Sequence, residues 1–248
     1  MAVNLDIDID LGTKYLTNIS AYFLGAIFAS NEYVEKDGIR YIVAPARYNK
    51  PSITNIDFEN HYYAIKNLAG ELKKSTLLSE HIIANNLNTG KFNKRMYGFG
   101  TFFECSKELN LEQKTNQVIS ALIDSNKIIH RCFLVGMFDG RGYYDTHTGY
   151  MVFDSANDNL SDFLCTIIRS YGLQCNYNPE RERENKESKS RAPQIRINKR
   201  EKFQENIGFI SPQRIKKYFG LYDTNLYEII EENDILQGLK VIRKIKNG

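Results

Sequence analysis

No run of eighteen apolar residues occurs in this 248-residue chain, so no segment has the length and hydropathy of a membrane-spanning helix. The N-terminus, with its acidic Asp6-Ile-Asp-Ile-Asp10, lacks the basic-then-apolar pattern of a secretory signal. Cysteine is scarce: Cys105, Cys132, Cys165 and Cys175 form no CxxC pair. That spacing speaks against zinc-ribbon and dithiol redox chemistry and predicts buried free thiols in a reducing compartment. His61, His81, His130 and His147 show no zinc spacing either, so no metal site is expected from them. A dominant charge sign is missing too. Thirty-three Lys and Arg against thirty Asp and Glu leave a net charge of +3, mildly favourable for a nucleic-acid partner and no proof of one. These features predict a soluble, cytoplasmic protein with no membrane partner. Its length suits one large or two small fused domains with an ample core.

What the chain does contain is a pair of related segments, Tyr22-Phe-Leu-Gly-Ala-Ile-Phe-Ala-Ser-Asn31 and Phe133-Leu-Val-Gly-Met-Phe-Asp-Gly-Arg-Gly142. Each is an apolar run interrupted by a glycine, then small or polar residues, then a β-prone stretch. A glycine inside a helix costs roughly 1 kcal/mol relative to alanine unless a close backbone contact recovers it. Gly25 and Gly136, at equivalent places, therefore predict two helices packed so tightly that a Cβ would not fit.

The surrounding pattern repeats as well. A helix near 18–29 is followed by strands near 31–36 and 39–47, joined through Asp37-Gly38, a strong hairpin signal. An amphipathic helix near 58–75 and strands near 80–86 and 92–103 come next. The second round has helices near 111–125 and 129–140, strands near 142–145 and 149–154, a helix near 160–171 stopped by Gly172, and strands near 173–178 and 193–199. Leu226, Ile229, Ile230, Ile235 and Leu239 then recur at helical spacing in a C-terminal extension. Between the last two strands, residues 179–191 alternate in charge without an apolar side chain, which predicts a solvated loop.

The two glycine-centred segments resemble the motif of the LAGLIDADG family, which comprises homing endonucleases, intein endonucleases, intron maturases and non-cutting relatives. Leu24 to Asn31 is similar to one form of that motif and Phe133 to Gly142 to another. Phe203-Gln-Glu-Asn-Ile-Gly-Phe209, with Lys216 and Lys217 beyond, resembles the block that closes the second half of intein-type members, and Asn159 to Leu173 resembles the helix before it. The resemblance spans about residues 15–220. It implies an α+β fold: two pseudo-symmetric αββαββα halves, residues 1–109 and 110–221, packed through the paired helices into a DNA-binding saddle. Residues 222–248 would form a helical extension, and a duplicated chain of this kind would act as a monomer.

The departures from the family bear directly on chemistry. In cutting members the last acid of the motif holds the divalent metal at the scissile phosphates. Ser30 and Arg141 stand at those two positions, while Asp139 matches an earlier acid of the motif. Mg²⁺ requires hard, charged oxygen ligands, which a hydroxyl supplies poorly and a guanidinium opposes. An arginine there suits a DNA phosphate instead. The resemblance thus implies double-stranded DNA as partner, with cleavage lost and no cofactor. The alternatives are a Mg²⁺-dependent homing-type endonuclease that recruits Glu32, Asp139 or Asp145, a maturase-like protein that binds structured RNA, and a protein-binding module.

Given that fold, alternation across a sheet would turn polar side chains toward a major groove. Candidates in the first half are Arg40, Arg47, Tyr48, Lys50, Lys91, Lys94 and Arg95. Those in the second are Tyr144, Gln174, Asn176, Arg196, Asn198 and Lys199. The charged loop adds Arg181, Arg183, Lys186, Lys189 and Arg191 as candidate phosphate contacts, opposed by Glu180, Glu182 and Glu184. Arginine suits guanine and asparagine or glutamine adenine, whereas lysine more often positions on phosphate. A slip of one residue would exchange the inward and outward sets.

Overall fold

A computed structural model describes residues 16, 18–49, 77–79, 96–154, 158–179, 193–198, 200–210 and 218. Helix α1 (Asn18–Ser30) is apolar almost all round and is buried from Ala21 to Ser30, as a helix without a polar face must be. It runs into the hairpin of β1 (Tyr33–Lys36) and β2 (Ile39–Asn49). Asp37 and Gly38 turn the corner with φ of 54° and 77°. Two consecutive positive φ values define the type I′ turn that matches strand twist, and Asp-Gly is the sequence that adopts it cheaply. Strands β3 (Leu77–Ser79) and β4 (Met96–Glu104) complete an antiparallel sheet ordered β1-β2-β4-β3.

The second round begins with α2 (Leu111–Ile123), whose first turn is capped by Asn110 accepting from the Glu112 amide at 2.9 Å. Helix α3 (Lys127–Arg141) is capped by Asn126, which accepts from the Ile129 amide at 3.0 Å. Both asparagines satisfy amides that the first helical turn leaves without partners. Strands β5 (Gly142–Asp145) and β6 (Tyr150–Asp154) follow, then α4 (Asp158–Ser170). Gly172, at φ 72°, ends the turn after α4. Strands β7 (Cys175–Asn178) and β8 (Gln194–Ile197) give a second sheet ordered β5-β6-β8-β7, the same order as the first.

The fold is therefore α+β, two four-stranded antiparallel sheets with α1 and α3 packed against each other between them. In the second half the core gathers around Phe138, whose ring lies 4.7 Å from Phe203 and 5.8 Å from Phe153. Phe203 comes from α5 (Arg200–Asn206), a helix that the sequence reading did not expect. Gly208, at φ 83°, closes α5, its amide bonding to the Phe203 carbonyl at 3.0 Å. This left-handed cap turns Ile207 and Phe209 inward, and both are fully buried. All four cysteines are buried and free.

Strand β3 at Leu77–Ser79, paired with Phe102 to Gly100 of β4, was not among the expected strands, and of the strand expected near 92–103 the described part, from Met96, is in place. The helix expected near 58–75, residues 80–95, the charged loop from 180 and the C-terminal extension lie outside the described residues.

Candidate nucleic-acid interface

The glycines of α1 and α3 meet reciprocally. A Cβ built on Gly25 would lie 2.0 Å from the carbonyl oxygen of Phe133, and one on Gly136 would lie 1.9 Å from that of Tyr22. Either distance is far inside van der Waals contact, so each helix can approach the other only where its partner has no side chain. One turn further along, a Cβ on Gly140 would touch the Ala29 Cβ at 3.0 Å. This approach brings the C-terminal ends of the helices, Ser30 and Arg141, to the same end of the pair.

At that end the chemistry is already engaged. The Ser30 hydroxyl is buried and donates to the Val43 carbonyl at 2.9 Å, with the Ile27 carbonyl 3.3 Å away. Arg141 Nη2 donates to Glu32 Oε1 at 3.3 Å, an ion pair that joins the two halves, with side chains 33% and 15% exposed. Asp139, in the last turn of α3, points into the core instead. It is 1% exposed, and its Oδ2 accepts from Tyr22 Oη and from the Ile210 amide, both at 3.1 Å. It ties α1 and α3 to the segment after α5. Asp145 caps its own hairpin turn, accepting from the His147 amide at 3.0 Å and from Thr148 Oγ1 at 2.7 Å. The Thr148 bond, with the turn amides, holds its carboxyl below the usual range.

These residues do not fit a divalent metal. Mg²⁺ needs several hard oxygens with room for water, but the Glu32 carboxylate is paired with a guanidinium and the Ser30 hydroxyl serves the backbone. Among the described residues no three of His, Cys, Asp and Glu gather as a metal site.

The second sheet presents two distinct faces. Register rows alternate between Tyr144–Met151–Ile197–Cys175 and Gly142–Phe153–Ile195–Tyr177 on the core side. Between them, on the opposite face, lie Tyr143–Val152–Arg196–Asn176 and the row of Asp154, Gln194 and Asn178. Of the expected groove-facing residues, Asn176 and Arg196 fall on this polar face. Gln174 and Asn198, exposed at its continuation, bond to each other: Asn198 Nδ2 donates to Gln174 Oε1 at 3.3 Å and its amide to the Gln174 carbonyl at 3.0 Å.

Two of the expected contacts are corrected. Tyr144 faces the core side, its ring 6.1 Å from that of Tyr218 with the Arg200 guanidinium 5.0 Å above it. Its neighbour Tyr143 takes the outer face instead, a one-residue parity that composition alone left open. Arg40 shares the face of Tyr33 and Ile42, where its guanidinium lies 4.0 Å over the Tyr33 ring and donates to the Lys107 carbonyl. It fastens the hairpin to the loop before α2. Arg47 and Tyr48 lie in β2 opposite Gly98 and Tyr97. Lys50, Lys91, Lys94, Arg95, Arg181, Arg183, Lys186, Lys189, Arg191 and Lys199 lie outside the described residues.

The sequence reading missed Tyr143, Asp154 and Gln194. They form one hydrogen-bonded chain: Gln194 Nε2 donates to Asp154 Oδ1 at 2.9 Å and to Tyr143 Oη at 3.2 Å, while its Oε1 accepts from Arg196 Nη2 at 3.0 Å. Partial burial, with the carboxylates of Asp154 and Asp145 nearby, pushes the Tyr143 phenol up to about 12, so it stays protonated. The apolar alternation of Ile195 and Ile197 was the available signal, since it forces residues 194, 196 and 198 outward together. Among the described residues no helix is long and apolar enough to cross a membrane.

No protein-family model matches the chain, and no curated protein does. Solved structures similar to it include mesophilic variants of the homing endonuclease I-DmoI, at 16% identity and a TM-score of 0.48, covering 77% of this chain and 95% of that one. I-DmoI in complex with DNA and Mn is similar at 16% identity and a TM-score of 0.48, covering 77% and 96%. Full-length DUF199/WhiA from Thermatoga maritima is similar at 11% identity and a TM-score of 0.42, covering 99% of this chain and 73% of that one.

Proposed function

We propose that this chain is a LAGLIDADG-type protein that binds double-stranded DNA sequence-specifically and does not cut it efficiently. The observation that carries this reading is the reciprocal seating of Gly25 and Gly136 on opposing backbones, with the chain leaving each helix directly into an antiparallel sheet of the same strand order. On this reading residues 1–109 and 110–221 are two half-site readers, joined in one saddle by α1 and α3. A monomer would then suffice for an asymmetric site. The polar face of the second sheet supplies Arg196, Asn176 and Gln174 toward a major groove, and Arg141 supplies positive charge where the central phosphates would pass.

Loss of cleavage is supported by how the motif positions are used. Ser30 donates to a main-chain carbonyl, Asp139 is spent holding Tyr22 and Ile210, and Arg141 is paired with Glu32. A cutting centre would need carboxylates at these places free to bind metal.

Selection of bound sequences from a random duplex library, followed by addition of Mg²⁺ or Mn²⁺ to the enriched pool, tests both parts. Enrichment of a defined sequence without strand cleavage is expected. Four-base overhangs after metal addition would instead establish the endonuclease. Retention of structured RNA without duplex enrichment would establish the maturase-like alternative.

A further inference from the structure

We propose that Arg196 reads a guanine in the half-site bound by the second sheet, and that Gln194 and Asp154 are positioning residues for it. This rests on the DNA-binding reading and adds a base and the groups that select it. Asp154 Oδ1, an acceptor when ionised, takes the Gln194 Nε2 at 2.9 Å, and Tyr143 Oη takes the same nitrogen at 3.2 Å. With the amide nitrogen committed on that side, the Gln194 oxygen has to point toward Arg196, which fixes the amide orientation by chemistry rather than by choice. Arg196 then donates to that single oxygen through Nη2 at 3.0 Å and Nε at 3.4 Å. This holds the Nε edge of the guanidinium, and no described residue takes a hydrogen bond from Nη1. The edge formed by Nη1 and Nη2 is a planar fork that matches the O6 and N7 acceptors of guanine.

Placement supports base reading over phosphate contact. Arg196 lies in β8, an inner strand between β6 and β7, and its register partners on the polar face are Val152 and Asn176. A side chain in the middle of a sheet laid in a groove meets base edges, whereas those at the margins meet the backbone. Restraint also matters. Arginine loses much rotamer freedom on binding, and one already held by a partner loses less.

The test compares duplex-library selections by the full-length wild-type protein and by the variants R196K, Q194L, D154L and D154N, each checked for an unchanged melting temperature. R196K keeps the charge and removes the fork. It is expected to lower preference for guanine at one position by about tenfold while leaving the salt dependence of binding unchanged. Q194L and D154L are expected to weaken the same preference at the same position. D154N, which keeps an acceptor oxygen for the Gln194 amide, is expected to retain most of it. A merely structural role would lower stability or affinity without singling out a position. Sequence-specific duplex binding whose base preferences R196K leaves intact would overturn this inference and leave the DNA-binding reading standing. Absence of any duplex enrichment by the wild type would overturn both.

Discussion

Arg141, the last residue of α3, meets Glu32, just past the end of α1, at 3.3 Å across the junction of the two halves. By the resemblance noted in the sequence, Arg141 stands at one of the two positions that would carry metal-binding acids, and Glu32 lies two residues beyond Ser30, which stands at the other. If duplex phosphates pass this point they compete with Glu32 for the guanidinium, so the two residues should act with opposite sign. Arg141→Ala is expected to weaken binding to all sequences alike and to reduce the salt dependence by about one phosphate contact. Glu32→Gln is expected to strengthen binding without changing base preference. Titrations at several salt concentrations check both, and loss of affinity in both variants would mean that the pair serves only to hold the fold.

Gly25→Ala and Gly136→Ala each drive a methyl into a main-chain carbonyl of the other helix. A carbonyl in a helix cannot swing aside as a flexible side chain would, so the helices must separate and the packing on both sides must loosen. Overpacking of this kind costs about 1–3 kcal/mol, and the upper end is expected here. Because the two contacts belong to one reciprocal approach, the double variant should cost less than the sum of the singles. Urea denaturation of the three variants measures it.

Asp139 gives a prediction that separates a structural carboxylate from a catalytic one. Asp139→Ala leaves Tyr22 Oη and the Ile210 amide without this acceptor in a buried setting. Buried donors stripped of a partner cost about 1–3 kcal/mol each, so a large drop in denaturation midpoint is expected. Asp139→Asn keeps one acceptor oxygen and should recover much of it. If Asp139 were instead a metal ligand, both variants would be well folded and would lose only metal-dependent activity.

The close helix approach was legible because a glycine inside an apolar helix has a cost that only contact repays. The hairpin at Asp37-Gly38 was legible because few dipeptides accept two positive φ values. Tyr143 and Tyr144 show where legibility ended. Adjacent, identical in chemistry and both partly exposed, they differ only in which sheet face the register assigns them, and register is a property of the paired strands. Arg40 misled for a related reason: a cation one residue past a hairpin turn looks available until the ring and carbonyl that hold it arrive from Tyr33 and Lys107. The Tyr143–Asp154–Gln194–Arg196 chain was invisible because its members come from three strands that meet only after folding.

The final prediction concerns alkaline stability. Burial pushes the Cys132 thiol up to about 12, with the Arg131 guanidinium opposing only part of the shift. Burial likewise raises the Tyr171 phenol to about 12. Each group stays protonated in the folded chain at pH values where the unfolded chain has released the proton, near 9 for the thiol and near 10 for the phenol. Above those values the unfolded state binds fewer protons than the folded state, so stability falls as pH rises toward 12. The decline should begin near pH 9, where the Cys132 thiol and the Cys175 thiol, also raised by its contact with Cys165 and by burial, contribute before any tyrosine does, and Cys132→Ala should make the loss between pH 9 and 10 shallower at some cost in packing at neutral pH. Denaturant midpoints from pH 7 to 11 check this. A slope between pH 9 and 10 that Cys132→Ala leaves unchanged would show that this thiol does not contribute to the alkaline loss.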